Sequence, residues 1–274
     1  MTSATPARRA WVETIMGTAI SIHLISESAA DRPAVDEAVS GCFDQLREID
    51  RLFSTYRADS DISRLRRGES VLADLDPRVG EVAQACITWE WVTSGRFSAD
   101  WQGWFDPTGY VKGWGVEAAA RRHLAPLLTE PEVLAVGVNA GGDLQLFTAE
   151  GADWTWTIGI ADPERPGEVV ATLEVRNGAV ATSGTAERGH HIIDPRTGEP
   201  ALSVLSATVV ADGLAAADVW ATTAVVAGID DLSWIGESST RTGLVVGQGG
   251  TVRRWLGATE VSTTAAVAPG PALV

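Results

Sequence analysis

The sequence is poor in the residue types that mark secreted, membrane-embedded and nucleic-acid-binding proteins. It has two cysteines in 274 residues and no CxxC spacing, so neither a disulfide framework nor a cysteine metal site is expected. No apolar run approaches the length of a membrane span, and the N-terminus lacks the apolar stretch of a signal peptide. A net charge of −15 would repel nucleic-acid phosphates and anionic membranes. These absences predict a cytoplasmic protein with no nucleic-acid partner and no membrane insertion.

The pattern of apolar residues predicts helices in the first half of the chain and strands in the second. Three- and four-residue spacing indicates helices over 35–53, from Asp76-Pro77 to about Gly95, and over 110–124, with a fourth from Asp212 to Ala227. Strands are predicted over 19–24, 133–138, 144–147, 154–160, 169–175, 179–182, 206–210, 242–246 and 252–256. Such a sequence predicts an α+β fold with a largely antiparallel sheet and flanking helices. We expect a flexible leader over 1–10, one domain over 11–257 and a flexible tail over 258–274.

A carboxylate and a hydroxyl lie one turn apart on the last predicted helix. Asp218 and Thr222 are four residues apart and therefore share a helix face. Both offer hard oxygen atoms, which Mg²⁺ prefers. The spacing alone is more often that of a solvated aspartate and a threonine bonded to its own backbone. The surrounding residues are mostly apolar, however, and a buried aspartate without a partner is costly.

Two glycine-containing segments have the composition of ligand-binding loops. Lys112 lies beside Gly113 near a predicted loop-to-helix junction, where a helix N-terminus favours anions. Gly141 and Gly142 follow an apolar strand, and glycine lets the backbone approach a ligand closely. The alternatives are an exposed lysine and an ordinary β-turn.

The segment over 181–198 has the densest set of reactive side chains. It contains Ser183, His191 and Asp194. His191 and Ile193 are expected on one face of a strand, with a turn starting at Asp194-Pro195. A histidine can act as a general base near neutral pH, although a strand histidine is often structural.

Six segments, in order along the chain, resemble the FAD:protein FMN transferase (ApbE-type) family. They are Met16-Gly17-Thr18, residues 54–65 (Ser-Thr-Tyr-Arg-Ala-Asp-Ser-Asp-Ile-Ser-Arg-Leu), residues 106–113 (Asp-Pro-Thr-Gly-Tyr-Val-Lys-Gly), residues 139–143 (Asn-Ala-Gly-Gly-Asp), Ala181-Thr-Ser-Gly184 with residues 191–198 (His-Ile-Ile-Asp-Pro-Arg-Thr-Gly), and Ala217-Asp218 with Thr222. The resemblance covers roughly residues 16–228. It departs from the family at Ser98, where an aspartate is common, and in a short loop between Ser183 and His191.

The resemblance implies a site that holds FAD as substrate and Mg²⁺ as cofactor. Its flavin nucleotide contacts are expected at Met16, Tyr56, Arg96, Phe97, Ser98, Asp106, Lys112, Gly141, Gly142, Ser183, His191 and Ile192. Its Mg²⁺ ligands are expected at Asp218, Thr222 and an oxygen near Gly109.

The implied reaction attaches FMN to a threonine of an acceptor protein by a phosphoester bond and releases AMP. His191 is the first candidate for the base that takes the threonine proton, and Asp194 is the second. The alternatives are a Mg²⁺-dependent FAD pyrophosphatase, in which water replaces the threonine, and an FAD-binding protein without catalysis.

Overall fold

The computed structural model describes residues 5–28, 32–185, 189 and 191–261. Its α-helices are Pro33–Phe53 (α1), Asp61–Arg66 (α2), Pro77–Val92 (α3), Thr108–Ala119 (α4) and Leu214–Ala227 (α5). Its strands are Ala7–Ile15 (β1), Thr18–Ser26 (β2), Val133–Ala140 (β3), Asp143–Thr148 (β4), Trp156–Ala161 (β5), Val169–Val175 (β6), Gly178–Gly184 (β7), Val204–Ala211 (β8), Thr242–Gly247 (β9), Val252–Leu256 (β10) and Thr259–Val261 (β11).

Nine of the strands form one antiparallel sheet. The order is β1-β2-β3-β4-β7-β8-β9-β10-β11, so neighbours in the sheet are mostly neighbours in sequence. Strands β5 and β6 leave this order and form a separate antiparallel pair. The α+β class predicted from the sequence is therefore confirmed.

Helices α1, α4 and α5 cover one face of the nine-stranded sheet, and together they form the main core. Helix α5 is apolar on almost every side, which is typical of a helix enclosed by other elements. Small residues on both sides, among them Ala217 and Ala221 of α5 and Ala179 and Ala181 of β7, are fully buried. Their size lets the helix lie close to the strands.

The β5–β6 pair covers part of the opposite face of the sheet. Trp156 and Ile158 pack against Leu146 and Val180, and Ile160 packs against Leu244 further along the sheet. The sheet therefore has a helical layer on one face and this two-stranded pair over part of the other. The ends of β4, β7 and β8 meet at the edge of this arrangement.

The main departures from the predicted elements lie near the chain ends. Residues 7–10, expected in a flexible leader, pair with β2 as part of β1, and residues 259–261, expected in the tail, form β11. Asp212 does not cap α5. Its side chain is exposed and pairs with Arg241, and the helix begins after Gly213. Within the part of the chain that the structure describes, no helix has the length and apolarity needed to cross a bilayer.

Candidate active site

A cavity of about 640 Å³ opens where the ends of β4, β7 and β8 meet α4 and α5. Ligand sites in proteins commonly have volumes of this size. Polar residues of the helices and of the β3–β4 turn line one side, and residues 158–163 of β5 and its following turn line another. The cavity therefore has a charged end and a more apolar wall.

Lys112 lies at the charged end, between two aspartates. Its ammonium donates to Asp218 Oδ2 at 2.9 Å and also to a carboxylate oxygen of Asp143. The side chain of Lys112 is 29% exposed, that of Asp218 is 10% exposed and that of Asp143 is 6% exposed. Lys112 is also the only lysine in the sequence. Burial lowers the pKa of Lys112, but attraction by the two carboxylates outweighs it and leaves the pKa raised.

Gly113 lets the helix that carries Lys112 approach the helix that carries Asp218. Gly113 follows Lys112 on α4, and a Cβ atom at that position would lie 2.8 Å from the backbone oxygen of Leu214 and 3.0 Å from Asp218 Cβ. Any side chain there would push α4 and α5 apart. The glycine that the sequence places beside Lys112 thus acts on helix packing rather than on a ligand.

Asp143 begins β4, directly after the two glycines of the β3–β4 turn. Gly141 and Gly142 both have positive φ, and a Cβ at Gly141 would lie 2.5 Å from Thr18 Oγ1, so the turn requires glycine there. The Asp143 carboxylate accepts the backbone N–H of Thr182 at 2.9 Å. Burial and then repulsion by Asp218 raise the pKa of Asp143 to about 6, against the opposing effect of Lys112. The sequence motif contained Asp143, but the predicted site did not.

Two hydroxyl groups lie beside Asp218. Ser183 Oγ and Thr222 Oγ1 are 3.1 Å apart, and Thr222 follows Asp218 by one helical turn, as its spacing predicted. Gly109 lines the same cavity. The described residues contain no group of three or more His, Cys, Asp or Glu side chains suited to a metal. A metal here would therefore depend on a mixed set of carboxylate, hydroxyl and backbone oxygens.

The segment after β7 brings His191 and Ile192 to the cavity but not in the predicted strand. Residues 191 and 192 lie in a loop, and Ile193 forms only an isolated bridge with Pro200. The expectation of one strand face for His191 and Ile193 was therefore wrong. His191 Nδ1 lies 3.1 Å from the carbonyl oxygen of Gly189 and contacts it as a donor, because a carbonyl can only accept. His190 lies outside the described residues.

Asp194 is bound to Arg196 and does not line the cavity. The Arg196 guanidinium donates to both carboxylate oxygens of Asp194, at 2.9 and 2.7 Å. This hydrogen bonding lowers the pKa of Asp194. A carboxylate held in this way is a poor proton acceptor, and the structure gives no support to Asp194 as the base.

The segment before α4 supplies a further wall of the cavity. Arg96, Phe97, Ser98 and Asp106 all line it. Ser98 Oγ donates to Glu90 at 3.2 Å. Asp106 accepts the backbone N–H and the hydroxyl of Thr108, at 3.0 and 2.7 Å, and so fixes the start of α4.

A family model for the ApbE family matches residues 16–105 and 101–244. The chain belongs to the ApbE family. A curated relative, the FAD:protein FMN transferase of Rhodobacter capsulatus, is 32% identical over 179 residues, which are 60% of this chain and 31% of that protein. The protein of the same name from Escherichia coli K12 is 30% identical over 122 residues, 41% of this chain and 35% of that protein. The matched part thus spans about a third of the length of these relatives.

Solved ApbE structures share the fold. The ApbE protein of Thermotoga maritima superimposes with a TM-score of 0.76 at 21% identity, over 90% of this chain and 97% of that chain. The flavin transferase ApbE of Vibrio cholerae gives a TM-score of 0.70 at 19% identity, over 92% of this chain and 97% of that chain. At these identities the likeness establishes the architecture.

Two contacts expected from the ApbE resemblance lie away from the cavity. Met16 occupies the β1–β2 turn with a positive φ, and its side chain packs between two parts of the core. Tyr56 follows α1 and is 98% exposed. The other expected nucleotide and metal contacts, from Arg96 to Thr222, all line the cavity.

The structure adds a wall that the sequence did not reveal. Residues 158–163 line the cavity, together with Trp101, Thr182 and Ser206. The sequence predicted β5 only as a strand, and its apolar alternation carried no sign of a site. Two of them had a visible signal: Thr182 lies inside the motif Ala181-Thr-Ser-Gly184, and Trp101 is a large aromatic residue in a loop between two motif segments.

Proposed function

We propose that this protein is a Mg²⁺-dependent FAD:protein FMN transferase, which attaches FMN to a threonine of an acceptor protein and releases AMP. The observation that carries the proposal is the half-buried Lys112, held between Asp143 and Asp218 in a cavity with an apolar wall. A dinucleotide with a flat ring system and a pyrophosphate fits a cavity that has an apolar wall and a charged end. The ring belongs against Ile158 and Ile160, and the pyrophosphate belongs near Lys112.

The charge of the cluster favours a divalent cation. Asp143 and Asp218 have one ammonium between them, so the ionised cluster keeps a net negative charge in a largely buried place. Asp218, Thr222, Ser183 and the Gly109 carbonyl offer only oxygen donors, which is the chemistry that suits Mg²⁺. The donor set therefore fits the metal, with Asp218, Thr222 and Gly109 as its ligands. When bound, Mg²⁺ would supply positive charge to the pyrophosphate oxygens.

The residues of the chain have separate roles in the transfer. A new bond forms between the threonine oxygen and the FMN phosphorus, and the bond from that phosphorus to the AMP oxygen breaks. Lys112 provides positive charge for the phosphate oxygens. His191 takes the threonine proton. Because its Nδ1–H is bound to the Gly189 carbonyl, Nε2 carries the free lone pair.

The same site would split FAD with water if no acceptor entered. Product analysis separates the two reactions. With FAD, Mg²⁺ and a threonine-containing acceptor, we expect AMP in equal amount to acceptor-bound FMN, whereas free FMN would indicate a pyrophosphatase. Unchanged FAD under all conditions would indicate a binding protein without catalysis.

The decisive variant is Asp218→Ala, with Asp44→Ala as a control. Asp44 is an exposed aspartate on α1, paired with Arg47 and remote from the cavity. We expect Asp218→Ala to abolish Mg²⁺-dependent AMP release while the fold is kept, and Asp44→Ala to behave as the wild type. Normal turnover of Asp218→Ala would contradict the metal assignment. Function in the cytoplasm stays a prediction, which fractionation of cells would test.

A further inference from the structure

The candidate active-site cavity has more negative than positive side chains. Its described lining residues include four aspartates, which are Asp106, Asp143, Asp162 and Asp218. Apart from His191, the basic side chains among them are Lys112 and Arg96. Two carboxylates already offset the charge of Lys112. An anionic substrate therefore depends strongly on the second cation, Arg96.

The Arg96 guanidinium is held on one side and keeps donors for a further partner. Its Nη2 donates to Asp231 Oδ2 at 2.8 Å, and its Nη1 makes a long hydrogen bond of 3.5 Å to the carbonyl oxygen of Thr93. Its Nε is buried and has no hydrogen-bond partner among the residues that the structure describes. Since buried donors are nearly always paired, this group points to an acceptor that the described residues do not supply.

The carboxylate of Asp231 is fixed by its own neighbours in the connection between α5 and β9. Its Oδ1 accepts the backbone N–H and the hydroxyl of Ser233, at 2.9 and 2.6 Å, so that Oδ2 is left for Arg96. These hydrogen bonds from Ser233 lower the pKa of Asp231, which keeps the carboxylate ionised at neutral pH. The Trp234 indole donates to the Asp231 carbonyl oxygen at 3.1 Å. Asp231 is thus a rigid anchor for the Arg96 side chain.

The ion pair lies beside the segment that follows His191. A Cβ atom at Gly95 would lie 3.5 Å from Arg196 Cγ, so Arg196 packs over the residue that precedes Arg96. After the hydrogen bond from Arg196, the charge of Arg96 also helps to lower the pKa of Asp194. The residues on either side of Asp194 line the cavity. The guanidinium is therefore close to a wall of the cavity.

The ion pair does not cancel the charge of Arg96 at the cavity. The Arg96 side chain is 15% exposed and that of Asp231 is 36% exposed, so water screens the carboxylate more than the guanidinium. Asp231 itself does not line the cavity. A ligand in the cavity thus meets the positive partner of the pair.

We propose that Asp231 is a positioning residue, which holds the Arg96 guanidinium so that it binds a phosphate oxygen of FAD. This inference rests on the proposed function, because it takes FAD as the substrate. A guanidinium donates from a planar fork, which matches phosphate oxygens better than the edge of a neutral ring. The contact with Asp231 orders the arginine before the substrate arrives, and this lowers the entropic cost of binding.

The test measures AMP release by the whole enzyme in Mg²⁺, with a threonine-containing acceptor present and FAD varied. Arg96→Met and Asp231→Ala are each expected to raise KM for FAD by about tenfold and to change kcat by less than about threefold, because a contact made before and during the reaction contributes uniform binding. The double variant should have the KM of Arg96→Met alone, since Asp231 acts through Arg96.

Two control variants separate positioning from a general loss of structure. Asp230→Ala removes the adjacent, exposed aspartate. Ser233→Ala removes a hydrogen bond of the same turn and leaves the contact between Asp231 and Arg96 in place. Both should keep the wild-type KM. Partial unfolding of any variant reduces the number of active molecules, which lowers the apparent kcat and does not change KM.

The possible outcomes distinguish this inference from the proposed transferase activity. A wild-type KM in Asp231→Ala, or effects of the two single changes that multiply in the double variant, would overturn the inference and leave the transferase intact. AMP release without FMN on the acceptor would overturn the transferase, and the same comparison of KM values would still decide the role of Asp231. A wild-type enzyme that leaves FAD unchanged would overturn both.

Discussion

Replacement of Lys112 by methionine removes the cation that bridges the two buried aspartates, Asp143 and Asp218. Asp143 and Asp218 are 6% and 10% exposed, so their charges would face each other with little water between them. Breaking a buried ion pair typically costs about 3–5 kcal/mol. Since Lys112 itself is 29% exposed, we expect the lower end of that range, about 3 kcal/mol. For a chain of this size that corresponds to a fall in Tm of roughly 6–12 °C.

The assay is thermal unfolding followed by circular dichroism at neutral pH, in EDTA and in Mg²⁺. The proposed metal site predicts that Mg²⁺ stabilises Lys112→Met more than the wild type, since the cation replaces the missing charge. Metal at about a hundred times its Kd would restore about 2.7 kcal/mol. The double variant Lys112→Met with Asp143→Asn removes one negative charge as well and should be more stable in EDTA than the single variant. A Lys112→Met protein as stable as the wild type in EDTA would contradict the role of Lys112 in neutralising the two aspartates, and one indifferent to Mg²⁺ would contradict the metal site.

Three further predictions follow from individual contacts. Gly113→Ala should lower the free energy of unfolding by about 1–3 kcal/mol, because the added methyl group forces α4 away from α5. Gly80→Ala on α3, which has open space around it, should instead raise the free energy of unfolding by about 0.5–1 kcal/mol. Equal effects of the two variants in urea unfolding would show that the close approach of α4 to α5 at Gly113 is unimportant. Asp76→Ala should cost about 1 kcal/mol by removing the N-cap of α3. The Arg78 hydrogen bond lowers the pKa of Asp76 to about 2. The difference in unfolding free energy between the wild type and Asp76→Ala should therefore be full above pH 3.8 and shrink as the pH falls through about 2. A difference in urea unfolding that does not change with pH would contradict this prediction. An amine-selective reagent should label Lys112 slowly at neutral pH, because the raised pKa of Lys112 keeps its amine protonated, and should label it faster in the Asp143→Asn variant. Equal labelling rates in the two proteins, measured by peptide mapping, would show that the ion pairs are absent.

The sequence was sufficient to predict most of the helices and strands, because their apolar spacing matches the face that each element buries. The N-cap Asp76 and the helix after it are examples, with the Arg78 N–H donating to the Asp76 carboxylate at 3.0 Å. The same holds for α1, whose buried residues follow the predicted stripe from Val35 to Phe53. In these elements local preference and tertiary packing agree.

The sequence failed where distant residues decide the local structure. Strand β1 was not recognised, because its inward side includes Arg9 and Glu13, which pair with Asp36 and Arg47 of α1 instead of forming an apolar stripe. Asp212 looked like the cap of α5, but Glu117 and Gln145, far away in sequence, accept the first N–H groups of that helix. No local pattern reveals such partners.

The same limit applies to the candidate site. Lys112, Asp218, Thr222 and the glycine turn could be selected from the sequence because motif resemblance marked them. Their mutual contacts depend on the packing of α4 against α5 at Gly113, which only the fold shows. The wall of β5 arises from a strand that pairs outside the main sheet, and local alternation does not predict which sheet a strand will join.

The mass of an acceptor protein after incubation distinguishes transfer of FMN from hydrolysis of FAD. The wild-type enzyme is mixed with FAD and a threonine-containing acceptor, in Mg²⁺ and in EDTA, and the intact acceptor is weighed by mass spectrometry. We expect a gain of one FMN on a threonine in Mg²⁺, no gain in EDTA, and no gain with Asp218→Ala. An acceptor that stays unmodified while FAD is split into free FMN and AMP would contradict the transferase assignment.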